Sequence, residues 1–159
     1  MKITLLTVGK IKEKYFTDAI AEYTKRLSRY CKTEIIEVED EKTPEDASEA
    51  EERQIKEREG KRLLAKLPAG AWVIALAIEG KMPDSVELSE KISALGVRGV
   101  SQIVFMIGGS LGLSPEVLGR ADELLSFSRM TFPHQLMRVI LLEQIYRSFR
   151  IAKGEPYHK

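Results

Sequence analysis

Trp72-Val73-Ile74-Ala75-Leu76-Ala77-Ile78 is apolar from end to end. A strand with one wet face alternates polar and apolar residues. An unbroken apolar run of this length, rich in β-branched residues, is what a strand covered on both faces requires. Such strands belong to parallel sheets, whose crossover connections are helices.

Downstream, Glu79-Gly80-Lys81 ends this strand, and Asp84 or Ser85 caps a helix reaching about Leu95. After a loop at Gly96 to Gly99 comes a second buried run, Gln102 to Ile107, which passes into Gly108-Gly109-Ser110-Leu111-Gly112. Ser114 fits an N-cap, with Pro115 at the first helical position and Glu116 in the first turn of a short helix to about Ala121. Glu123 to Ser126 reads as a strand. The polar loop Phe127 to Phe132 follows, and Pro133 suits the first turn of a helix running from His134 to Ile151.

Upstream, Pro68-Ala69-Gly70 is a turn. Ser48 to Leu67 reads as a charged, solvated helix, locally weakened by Gly60, with Glu52–Lys56 and Glu57–Lys61 at ion-pair spacing. Glu39 to Asp46 is an acidic loop, Glu34 to Val38 an edge strand, and Lys14 to Ser28 a helix by its apolar spacing. Ile3 to Val8 is a buried strand ending at Gly9. Strands and helices thus alternate along all 159 residues with no linker or repeat. The expectation is a single α/β domain over residues 1–159, with a mainly parallel sheet and helices on both faces.

Composition excludes several classes. The chain is 43% hydrophobic and 31% charged, within the range of globular proteins, and no apolar run is long enough to span a membrane. One cysteine, Cys31, permits no internal disulfide and fits a reducing, cytoplasmic setting. Two histidines without ligand-like spacing suggest no metal site. Residues 126–159 carry six Lys and Arg against two Asp and Glu, a local excess that suits an anionic partner.

Three stretches carry candidate chemistry. Gly108-x-Ser110-x-Gly112 matches a nucleophile elbow, with Asp122 and His134 following in hydrolase order. Against a hydrolase, the next helix starts four residues late and Asp122 lies too near in sequence. The same glycines also suit a backbone that approaches a cofactor closely. The patterns that hold nucleotide phosphates are missing. The third stretch is Tyr157-His158-Lys159, where an aromatic ring, an imidazole and a cation can stack on a base, manage a proton and meet a phosphate. The last helix has more apolar surface than one sheet covers. The expectation is a partner chain against its second face, with Ile145 and Phe149 as its test positions.

Val8-Gly9-Lys10, Leu76 to Lys81, Phe105 to Ser110 with Gly112, Ser126 to Gln135, Glu143 to Arg147 and Tyr157-His158-Lys159 together resemble the large-subunit ribosomal RNA methyltransferase H family, whose members are trefoil-knotted SPOUT methyltransferases. The resemblance spans the whole chain; Leu111 and Lys159 are its main departures. It implies a C-terminal trefoil knot, a homodimer, and S-adenosyl-L-methionine as cofactor. It also implies methylation of N3 of a pseudouridine in 23S rRNA of the assembled ribosome. Carried over by position, the cofactor site comprises Leu76, Gly108, Phe127, Ser128, Arg129, Met130, Thr131 and Phe132. The catalytic tail is Tyr157, His158 and Lys159. His158 is the first choice of base for the imide proton and His134 the second, while Arg129, Arg138 and Lys159 are candidate phosphate contacts. The tail is expected to be ordered only over bound RNA. A non-catalytic, dimeric RNA-binding assembly protein is the alternative from another class.

Overall fold

The computed structural model describes residues 1–159. Its elements are β1 (Lys2–Val8), α1 (Lys14–Leu27), β2 (Lys32–Val38), α2 (Glu49–Ala65) and β3 (Trp72–Lys81), then α3 (Ser85–Val97), β4 (Gln102–Ile107), α4 (Pro115–Arg120), β5 (Glu123–Leu125) and α5 (His134–Ala152). One sheet runs β2-β1-β4-β3-β5, and every pairing in it is parallel. The central strands are buried on both faces, as their unbroken apolar runs require. In β4, Ile103, Phe105 and Ile107 enter the core beneath α1, α3 and α5, while Val104 and Met106 enter the core beneath α2 and α4. Burial of each such side chain contributes about 1.5–3 kcal/mol.

Local chemistry sets the helix starts. Ser48 with Glu51, and Asp84 with Glu87, form reciprocal capping boxes. Ser114 accepts from the Val117 amide, with Pro115 behind it. On α2 the expected Glu52–Lys56 and Glu57–Lys61 pairs are replaced by Arg58 and Arg62, which bond Glu41 of the preceding loop at 3.3 and 3.1 Å. A loop carboxylate that meets two guanidinium groups offers more than one exposed lysine does. Pro133 stands at the N-cap of α5 rather than inside its first turn.

Two further expectations need correction. β3 does not stop at Ile78: it runs to Lys81, and Leu125 of β5 pairs with both Leu76 and Lys81. The chain therefore crosses itself tightly here. A Cβ on Gly80 would lie 2.6 Å from the Leu124 carbonyl carbon, so only glycine fits. The second concerns α5, which is covered within its own chain by α1 on one side and α3 on the other. Ile145 is 0% exposed, and Phe149 stacks on Tyr30 at 5.6 Å. Substituting these two residues would disrupt the protomer's own packing, so they do not test a dimer.

Candidate active site

The C-terminal ends of β3, β4 and β5 and the N-terminus of α5 enclose a cavity of about 890 Å³. This is the end of a parallel sheet where ligands collect, and the volume lies inside the usual range of about 300–1,000 Å³ for small-molecule sites. Three backbone segments shape it. After β4, the Gly112 amide bonds the Gly109 carbonyl at 3.0 Å, folding the glycine stretch back on itself. A Cβ on Gly108 would lie 2.6 Å from the Gly112 carbonyl carbon and 2.7 Å from its oxygen. Gly108 is thus required first by its own loop, and its bare backbone then forms cavity wall. After β5, the Ser126 amide bonds the Lys81 carbonyl at 2.8 Å, and the Ser126 hydroxyl donates to the Ser128 carbonyl at 3.0 Å. The Ser128 hydroxyl in turn accepts from the Met130 amide at 2.9 Å. Third, α5 begins without a side-chain cap because proline occupies its N-cap, leaving first-turn N–H groups beside the cavity.

Of the residues expected around a cofactor, Leu76, Gly108, Phe127, Ser128, Met130, Thr131 and Phe132 line this cavity. Arg129 does not: it belongs to the same loop but is exposed. His134 and Gln135 also line it, as do Lys56, Glu79, Leu118 and Met137. Glu79 belongs to the Leu76 to Lys81 stretch; no local pattern marks Lys56, Leu118 or Met137. They arrive through packing, Lys56 from α2 on the far side of the sheet. Burial lowers the pKa of His134, and the Arg138 charge lowers it further, while Asp40 opposes them. The apolar walls, glycine cradle and uncapped helix end suit a small, partly apolar ligand held largely by backbone.

The tail is elsewhere. It folds back along the C-terminal half of α5 as far as Glu143, six residues and about 9 Å along the helix axis from Met137 of the cavity wall, and none of its residues lines the cavity. Tyr157 packs edge-on against Tyr146 at 5.0 Å, lies beneath the Arg147 guanidinium at 4.7 Å, and donates its hydroxyl to Glu143 at 3.1 Å. Burial and the Glu143 carboxylate both push the Tyr157 phenol upward in pKa. Glu155 bonds Arg150 at 2.6 Å and Tyr30 at 3.0 Å, and the Pro156 carbonyl accepts from Arg150. His158 Nδ1 lies 3.1 Å from Arg147 Nη1. The expectation of a tail ordered only by RNA is therefore corrected: α5 and the turn after α1, through Tyr30, provide its seat. Sequence alone hid this because a cation–π contact and a shared carboxylate depend on the pitch of α5.

Arg138 also fails its expected role. It is 1% exposed and bonds Glu37 at 2.6 Å and the carbonyls of Val8 and Gly9 at 3.1 and 2.8 Å. It ties α5 to β1 and β2 and is out of reach of any phosphate. The hydrolase arrangement is likewise not assembled. Ser110 follows the C-terminal end of β4, whereas Asp122 accepts from the Val73 amide at the opposite end of the sheet, 2.7 Å away. No group of three or more potential metal ligands is present, and no helix is long and apolar enough to cross a membrane.

Residues 1–158 match the family model described as "Predicted SPOUT methyltransferase". The chain is 67% identical to the Ribosomal RNA large subunit methyltransferase H of Bifidobacterium adolescentis. It is 62% and 60% identical to the proteins of that name from Shouchella clausii and Clostridium acetobutylicum. In each case the alignment covers 100% of both chains. Among solved structures, a probable methylase family protein from Haemophilus influenzae Rd KW20 superimposes with a TM-score of 0.53 at 12% identity. That alignment covers 99% of this chain and 70% of the other, a likeness of fold.

Proposed function

Because the chain belongs to the SPOUT methyltransferase family, we propose that it transfers a methyl group from S-adenosylmethionine to N3 of a pseudouridine in 23S rRNA of the assembled large ribosomal subunit. The observation that carries this reading is the glycine-floored cavity between β3, β4 and β5, in a chain matched end to end by relatives named for that RNA. The cofactor, when bound, supplies a methyl group already activated on a positive sulfur and leaves as a neutral thioether. The chain's task is then placement. Leu76, Gly108, Phe127, Ser128, Met130, Thr131 and Phe132 hold the cofactor, and Arg129, exposed beside them, faces the RNA backbone. Tyr157 stacks on the target base, Lys159 meets a phosphate, and His158 works at the imide edge.

A tail held against α5, with none of its residues lining its own cavity, serves the cavity of a second copy, which makes the working unit a homodimer. Leu136, Val139 and Ile140 of α5 support this, being partly exposed and outside both cores. Ile140→Asp should yield a folded monomer by sedimentation, and a dimer of unchanged affinity would remove this face from the interface. The proposed unit is one α/β domain whose C-terminal part is the family's trefoil knot. The crossing of Gly80 against Leu124 and the double pairing of Leu125 support it. Its place of action is the cytoplasm, where ribosomes are. Calorimetry with S-adenosylmethionine, followed by methyl transfer to isolated ribosomes, tests the function. A folded protein that binds RNA but not the cofactor would overturn it in favour of an assembly role.

A further inference from the structure

Arg147 is held on three sides. Its Nε and Nη2 bond one oxygen of Glu143 at 3.0 and 2.6 Å, its plane covers the Tyr157 ring, and its Nη1 points at His158 Nδ1 at 3.1 Å. A guanidinium has no lone pair to offer, so this last contact exists only if Nδ1 accepts. The ring proton then sits on Nε2, the nitrogen directed away from the seat. No carboxylate is within ion-pair distance of the ring: Glu143 is taken by Arg147 and Tyr157, and Glu155 by Arg150. Tyr23 and Arg26 of α1 face the same aromatic group from the other side, and Lys159 adjoins His158 in sequence. A ring in this state has a donor to give at Nε2 and no free acceptor with which to take a proton.

We infer that Arg147, fixed by Glu143, is a positioning residue that presents His158 as an Nε2–H donor to a carbonyl oxygen flanking N3 of the target base. This rests on the proposed function. Loss of the imide proton spreads negative charge over both flanking carbonyl oxygens, and a neutral donor stabilises that charge as it develops. His158 moves no proton in this role. The imide proton passes to water, the pair left on N3 forms the bond to the methyl carbon, and the pair of the broken bond stays on sulfur.

The test separates donor from base. Long-range 1H–15N spectra of the imidazole in the free protein should show Nε2–H with Nδ1 unprotonated, and Arg147→Met should mix the two tautomers. His158→Gln keeps an N–H donor but cannot act as a base, so it should retain transfer within about tenfold of the native rate. His158→Ala should lose about 100-fold or more. The native rate should climb with pH as the imide ionises, with no plateau set by a group titrating near neutrality. An Nδ1–H ring in the native protein would overturn the inference. So would a His158→Gln variant as inactive as His158→Ala beside an active native enzyme. A native protein that transfers no methyl group would remove the functional reading and this role with it, even with the Nε2–H tautomer present.

Discussion

Gly108 and His134 face the same cavity for different reasons, and substitution separates them. Gly108→Val drives its side chain into the Gly112 carbonyl before it meets any ligand. The expected result is a folded protein with cofactor affinity down at least about tenfold and a Tm lowered by several degrees, roughly 1–3 kcal/mol of overpacking. Calorimetry and a thermal melt read the two effects; an unchanged melt with lost binding would mean that the loop yields more easily than its geometry implies. His134 has a lowered folded-state pKa, from burial first and Arg138 second. Its unfolded form takes up a proton near its ordinary value of about 6.5, while the folded form resists until lower pH. The stability it contributes is therefore complete above that value and is lost as pH falls toward the folded value. Native protein should lose stability relative to His134→Gln between pH 7 and pH 5, and a difference flat with pH would place His134 in contact with water.

At the scale of elements, α2 and α4 meet at Gly60, where a Cβ would lie 2.6 Å from Ser114 Oγ and 3.0 Å from Val117 Cγ2. Helix propensity favours Gly60→Ala by about 1 kcal/mol, but the clash falls on the hydroxyl that caps α4, and packing should win. Gly119, in α4 with nothing within 4 Å, is the control: Gly119→Ala should raise the denaturation midpoint while Gly60→Ala lowers it. A gain at both sites would show that the α2–α4 contact gives way freely. The same contact marks what the sequence disclosed. Gly60 was legible as a weak point of a helix, because propensity is local, but its packing reason lies 54 positions away at Ser114. β4 was legible to the residue because an unbroken apolar run admits one reading. The extension of β3 to Lys81 was not, since Glu79-Gly80-Lys81 has the composition of a turn and becomes strand only through β5. The cavity loop was legible through its family motif, whereas Lys56 and Leu118 beside it carry no local signature. Arg138 looked like surface charge on a basic helix; only the approach of α5 to Glu37 and the end of β1 buries it.

For the whole molecule, the decisive fact is that α5 opens on the cavity at its N-terminus and seats the tail along its C-terminal half, so that no tail residue lines the cavity of its own chain. A chain lacking residues 157–159 should bind the cofactor with native affinity and lose only about 1 kcal/mol of stability, the scale of one aromatic contact. Its methyl transfer should fall by about 100-fold or more, because no copy can supply His158. A chain carrying Gly108→Val, assayed at cofactor concentrations well below its weakened Kd, should be nearly inactive for the opposite reason. Mixed and allowed to exchange subunits, the two variants form heterodimers in which one cavity and one tail are both intact. If the tail serves the opposite subunit, that cavity and that tail meet, and random exchange restores about a quarter of the native sites, since half the dimers are mixed and one site in two is whole. If the tail serves its own subunit, every site in the mixture lacks one part and activity stays at the background of the two variants. The cofactor-binding stoichiometry of the mixture is the same under both arrangements, so methyl transfer alone decides which subunit's tail completes the site.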